Sequence, residues 1–442
     1  MLGPVRALER VREVLAPEGP ALDLAVLRIT IALVLASSAS VAVAEHWAAL
    51  PAATRVWPLG VAWLEPIVPI SPGIAGVVRA VLWAACGLGA LGIFARTSLA
   101  VATVCAGYVM LIPQLGGAVF HDHHLLWLGA LLAASPCGDA LSVDAWRATR
   151  RGAPRPSRGR AHGAAIRVAW ILIGLVFVFP GIHKLAESGV AWIASDNLRN
   201  QMWWKWAQDP ATQPAWRIDR HPMLLRVLAF LTVAFELSFL PLVLWRRTRA
   251  LAVGGALAFH AATDLFMGIG FSALWATYTM FVPWEALAGR PSISKCPTSE
   301  RSTVPIAVVG GLLILGASSF GAIGAMHAYP FACYPTFQWI PDDRMPAMAI
   351  EIERIDGTRT LLDPALYREA GPRGWALEWS LVGVYGAVDR GRVEAWWRDR
   401  RDREPLRSAI RDARSIHVHR TAISVDPDRR GLELSRRELF TL

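Results

Sequence analysis

Lysine is nearly missing from this chain: of 45 basic residues only Lys184, Lys205 and Lys295 are lysines, the rest being arginines. Charge of either sign is scarce, at 18% of 442 residues, where a soluble domain carries about a quarter. The deficit lies in long apolar runs, which excludes an ordinary soluble enzyme. Cysteine is sparse too. Cys86, Cys105, Cys137, Cys296 and Cys333 form no CxxC, and four of them fall in or beside apolar runs, so no disulfide framework is expected. A cleavable signal peptide is also missing, since MLGPVRALERVREVLAPEG is a charged leader ahead of the first apolar run.

The net charge of +10 comes without a nucleic-acid recognition motif, and nucleic acid is not an expected partner. RATRRGAPRPSRGR, residues 147–160, lies between two apolar runs and reads as a loop held at an anionic inner leaflet.

What the chain does have is apolar windows of spanning length, near residues 22–44, 76–95, 97–115, 122–137, 165–183, 223–245, 250–269, 271–288 and 303–325. Each approaches the ~20 residues needed to cross hydrocarbon, the fourth being short. The expected fold is an all-α polytopic membrane bundle of about eight to nine transmembrane helices, with a small extracytoplasmic α+β domain. The expected units are a cytoplasmic leader (1–21), a transmembrane domain (22–325) and the tail domain (326–442). With the leader inside, nine crossings place Arg96, the 147–160 loop, Arg246, Arg247 and Arg249, and Arg290, Lys295 and Arg301 inside as well. The 185–221 connection and the tail then lie outside, in an inner (plasma) membrane protein.

In the tail, AMAIEIERIDGTRTLL (347–362) alternates around Asp356-Gly357 as a hairpin does. Residues 391–413 read as a charged helix, and SIHVHRTAISV and GLELSRRELFTL as two closing strands. His417 and His419 share a strand face but lack a third ligand, so no metal site is expected there.

Ionisable groups inside apolar helices are costly and mark candidate sites. Arg28 lies near the inner end of the first window, where it snorkels or pairs with another helix. Glu236 lies more than a turn inside its window, and His260 sits at similar depth in the next with Asp264 one turn on. A Glu236–His260 contact is expected, either as a structural pair or as part of a ligand pocket. His121, Asp122, His123 and His124 open the fourth window at the same outer boundary that receives His183 and Lys184. Three readings stand open: an interfacial cap reaching headgroup water, a metal site from His121 and His124, which share a face, or acid–base chemistry. For the last, taking an ammonium out of water favours the neutral amine, a base usable near neutrality, and an adjacent imidazole relays a proton or steadies an anion. Arginine does not deprotonate in proteins, which gives a chain rich in arginine a reason to keep lysine here.

Four stretches together resemble the vitamin K-dependent gamma-carboxylase and the bacterial membrane proteins that share its core, the HTTM family. LDLAVLRITIALVL is similar to that family's first helix with its arginine. HDHHLLWLGALL resembles its Asn-His-x-Tyr-Leu segment, with Asp122 at the asparagine position and His123 at the histidine. FPGIHKLAESGVAWI resembles its Gly-x-x-Lys-Leu stretch, and AFHAATDLFMGIGFSALW its histidine helix. The resemblance covers residues 22 to about 290 and implies Lys184 as the base that deprotonates a reduced quinone, with His123 assisting. His183, where the animal enzyme has a second lysine, and Asp122, Glu236, His260 and Asp264 are the expected pocket and supporting residues. The implied cosubstrates are reduced vitamin K or menaquinol, O2 and CO2, and the implied partners are membrane lipid, quinone and an extracytoplasmic protein or peptide substrate. Quinol-dependent proton abstraction and epoxidation coupled to carboxylation of a glutamyl or other substrate is the leading expectation. The alternatives are a non-catalytic lipid or quinone-binding transport or scaffold protein, or a quinone oxidoreductase component.

Overall fold

From Ala21 to Ile323 the chain is mostly helix, because its runs of Ala, Leu, Val and Ile leave the backbone no hydrogen-bonding partner in an apolar surround except itself. The computed structural model describes residues 13, 16–153, 157–289, 301–325, 327–331, 337–368, 374–383 and 388–442. Most of the leader, Arg290, Lys295, Cys296 and Cys333 lie outside the described residues. The helices that matter below are α1 (Ala21–Ser37), α2 (Ala39–Ala48), α3 (Pro72–Leu91), α4 (Ala95–Leu115), α5 (His124–Ala134), α6 (Arg160–Ser188), α7 (Asn197–Gln208), α8 (Pro222–Leu244), α9 (Arg249–Met267), α10 (Ser272–Thr277) and α11 (Val304–Ile323).

Among the described residues seven helical stretches are long and apolar enough to cross a membrane: α1 with α2, α3, α4, α6, α8, α9 and α11. Helix α5 is apolar but only 11 residues long. The two most enclosed are α4 and α6, whose apolar windows are 61% buried, against 22–28% for α3, α8, α9 and α11. The outer helices therefore turn apolar faces such as Val77, Leu251 and Leu312 away from the protein, as suits a surround of lipid rather than water.

The 271–288 window departs from the expected helix. It runs from Gly268, packed against Thr212, to Glu285, whose N–H donates to Asp23 at 3.1 Å and whose carboxylate pairs with Arg158 at the opposite end of the bundle. It makes that passage as α10, a 3-10 turn over Tyr278–Phe281 and a final short turn. Irregular backbone at such depth is tolerated only where protein encloses it. Leu274, Thr277, Tyr278 and Met280 are all buried, and Trp170 and Trp284 donate their indole N–H groups to the carbonyls of Met280 and Thr279.

The tail carries an antiparallel sheet of β1 (Arg344–Arg354), β2 (Arg359–Leu361), β3 (Ala413–Ser424) and β4 (Glu433–Thr441), in the order β2-β1-β3-β4. The hairpin and the closing strands follow the sequence pattern, while the charged helix is shorter than expected, Arg390–Arg400. Ile350, Ile352, Ile416 and Val418 form the sheet's buried face, packed with Tyr367 and Trp396. The sheet region sits on the bundle: Arg392 donates to the carbonyl of Thr54, and Tyr329 to that of Gly107.

Candidate functional site

Helix α6 delivers Lys184 one turn after Pro180 and Gly181. Along the same face Gly174 and Gly181, two turns apart, have no side chains, and α8 lies directly over them. A Cβ at Gly174 would stand 2.4 Å from Cδ1 of Leu240, and one at Gly181 3.1 Å from Cβ of Glu236. Small residues at that spacing let two backbones close up. The result is a pair that neither helix would make alone: Nζ of Lys184 donates to both carboxylate oxygens of Glu236, at 2.8 and 2.9 Å. Both side chains are buried, and the ring of Trp192 lies 5.3 Å from Nζ. Gly181→Val is expected to destabilise the protein by about 1–3 kcal/mol through overpacking. Gly254→Ala, on a helix face with open space, is expected to change little; thermal unfolding of the two variants side by side checks this.

The ion pair forms one wall of a cavity of about 90 Å³. Phe177, Phe259 and Phe271 put aromatic rings into walls that also carry Val176, Met267 and Leu274, and the imidazoles of His121, His124 and His260 reach it from α9 and from the entrance to α5. His260 shares a hydrogen bond of 2.8 Å with the Tyr278 hydroxyl. His124 is fully buried, and among the described residues the backbone at Ala273 is the hydrogen-bonding group that approaches its ring.

The roof is Leu198 and Gln201 of α7 together with a strap that follows α11. Trp192, Gln201, Asn200 and Trp204 donate to the carbonyls of Phe337, Trp339, Pro341 and Asp342 at 2.6–2.9 Å. Phe337, whose ring lines the cavity, has φ 58°, a conformation that a bulky residue holds only where its surroundings impose it. Asp219 ties α7 to the connection beyond it. Burial pushes its carboxyl up, but hydrogen bonds from Arg217 and Trp203 prevail and hold it below the usual carboxylate range.

Lys184, Glu236 and His260 thus meet at one cavity, with Glu236 bound to Lys184 rather than to His260. The other expected residues point elsewhere. His123 is buried, its ring edge-on to Tyr329 at 4.9 Å. Asp122 accepts hydrogen bonds from Ser38 and Ser40 where α1 breaks into α2, a carboxylate beside a helix N-terminus. His183 contacts the carbonyl of Gly321 at 2.6 Å near the C-terminus of α11. Asp264 is exposed. Arg28 donates to the carbonyls of Cys137, Ala140, Ala90 and Leu141 at 2.5–3.3 Å, satisfying backbone at the ends of neighbouring elements. Sequence reasoning missed Tyr278, Gln201 and the strap, and it read His124 as part of the outer cluster, in a cap or a metal pair with His121, without naming it among the pocket residues.

A larger cavity, about 330 Å³, lies at the arginine-bearing end. Its buried carboxylate, Asp139, is already held by His162 at 3.0 Å and Arg301 at 2.7 Å, so it offers less free chemistry than the smaller one. On the tail sheet His417 lies 3.0 Å from Glu438 and 3.7 Å from Glu353. Among the described residues no group of three or more His, Cys, Asp or Glu is placed to hold a metal ion.

No curated protein and no solved structure matches this chain significantly. The HTTM domain matches residues 17–285, which take in every helix from α1 to α10 and thus the ion pair, His124, His260 and Tyr278. Spanning more than half of the sequence, that match establishes that the chain belongs to the HTTM family.

Proposed function

We propose that this HTTM protein admits a lipid-soluble weak acid of the reduced-quinone type into the aromatic cavity and removes its hydroxyl proton at the Lys184–Glu236 wall. In this reading the step opens quinol epoxidation by O2, coupled to addition of CO2 to a glutamyl or other substrate at the tail side, as in the gamma-carboxylase that the family resembles. The observation that carries it is a buried ammonium–carboxylate pair open to a mostly apolar cavity whose walls include several aromatic rings and three imidazoles. Flat apolar walls suit a quinone ring, and a few convergent polar groups suit its oxygens. His124 and His260 face the ligand, while His123 acts from behind them by fixing the turn into α5. Arginine placement orients the protein with its N-terminus in the cytoplasm of an inner membrane and its tail outside.

The test is oxygen uptake by purified protein supplied with reduced menaquinone or vitamin K, with and without CO2. The double variant Lys184→Met/Glu236→Gln, which removes both charges from the wall, is expected to lose at least about 100-fold in rate, the lower range for acid–base catalysis. Wild-type uptake in that variant would overturn the site assignment. Protection of the wild type against heat by quinone, with no oxygen uptake, would instead support a quinone receptor or scaffold.

A further inference from the structure

We infer that the proton acceptor in this cavity is the carboxylate of Glu236, and that Lys184 is the cation which receives the ligand's oxyanion. The inference rests on the weak-acid reading above and assigns the roles within it. Both carboxylate oxygens lie within 2.9 Å of Nζ, the arrangement of an ammonium donating two hydrogen bonds. An ammonium has three donors and no lone pair, so in this state it takes no proton; a carboxylate has about four lone-pair sites and two are in use.

The step balances without an outside reagent. The ligand's O–H bond breaks, its electron pair stays on the ligand oxygen, the proton goes to a Glu236 oxygen, and the Lys184 ammonium exchanges the carboxylate for the new oxyanion. One cation and one anion stand side by side before and after, so no lone charge appears in a site where burying one is costly. A neutral lysine beside an ionised Glu236 would leave that carboxylate uncompensated. A neutral lysine beside a protonated Glu236 reaches the same products by another balanced route, in which the lysine nitrogen takes the ligand's proton and Glu236 keeps its own. The carboxylate is therefore the acceptor when the site starts as the ammonium–carboxylate pair that the two hydrogen bonds describe. The other titratable groups facing the cavity are imidazoles. His260 is engaged with Tyr278, and His121 and His124 line the cavity beside it.

The experiment uses 4-nitrophenol, whose ionised form absorbs visible light, bound to the full-length protein about one pH unit below the probe's own midpoint, so that free probe is mostly neutral. Wild type is expected to hold the phenolate. Glu236→Gln is expected to bind the probe within threefold of wild type yet show at least tenfold less phenolate absorbance. Wild-type absorbance in Glu236→Gln would overturn the inference and return the role of acceptor to lysine alone. Should Glu236→Gln fail to fold, Glu236→Asp, with its carboxylate drawn back by one methylene, is read instead: a severalfold fall in phenolate is expected, and no change overturns the inference. No binding of the probe to wild type would sink the weak-acid reading itself, a distinct outcome.

Discussion

Lys184→Met is expected to lower stability by about 3–5 kcal/mol, the range for stranding one member of a buried ion pair. The cause is not the lost lysine contacts but the carboxylate left behind, because Glu236 is 5% exposed and Lys184 is the donor to both of its oxygens. Adding Glu236→Gln removes the orphaned charge, so the double variant is expected to be more stable than Lys184→Met alone. The coupling between the two sites is expected at the upper end of the ~0.5–3 kcal/mol seen for residues in direct contact. Thermal unfolding of the four proteins of this cycle measures it. Additive losses would mean that the two side chains do not meet in the protein. Turnover is expected to remain lost in the stabilised double variant, which separates the fold's need for charge balance from the chemistry's need for charge.

The same pair marks where the sequence could be read and where it could not. Depth was legible: counting residues along an apolar run places Glu236 and His260 inside their helices and Lys184 at the outer end of its own. Rotation was not, because the direction a side chain takes depends on which face the neighbouring helix occupies. At 3.6 residues per turn, consecutive positions differ by ~100°. His124 accordingly faces the cavity while His123, one residue earlier, turns to Tyr329. Glu236 goes to Lys184 because Gly174 and Gly181 draw α8 onto α6, a packing choice that hydropathy alone does not register. The rarity of lysine did point to residue 184, since it is a chemical signal and independent of geometry. The 271–288 window misled for a related reason. Composition reports that a segment is apolar, whereas Trp170, Trp284 and the Tyr278–His260 contact let it remain irregular once enclosed.

Arg28→Ala is expected to prevent accumulation of folded protein. The guanidinium is fully buried and donates to four carbonyls: Ala90 at the end of α3, and Cys137, Ala140 and Leu141 in the turn after α5. Those carbonyls converge on one side chain because two chain segments, the end of α3 and the turn after α5, stop at the same level in the bundle, each leaving backbone oxygens that its own helix cannot satisfy. Gly92, with φ 68°, closes the α3 end so tightly that a Cβ there would stand 3.3 Å from Cζ of Arg28, so a replacement hydrogen-bond donor has little room to enter. Each buried acceptor left without a donor costs about 1–3 kcal/mol. Losing four approaches the whole ~5–15 kcal/mol of a typical native state. Arg28→Lys is expected to recover only part of this, since its three donors on one nitrogen do not spread over four oxygens as the planar fork does. Size-exclusion yield and resistance to proteolysis in detergent, compared across wild type, lysine and alanine, would rank the three in that order. Equal yields would mean that Arg28 is a passenger in the bundle rather than the tie between its ends.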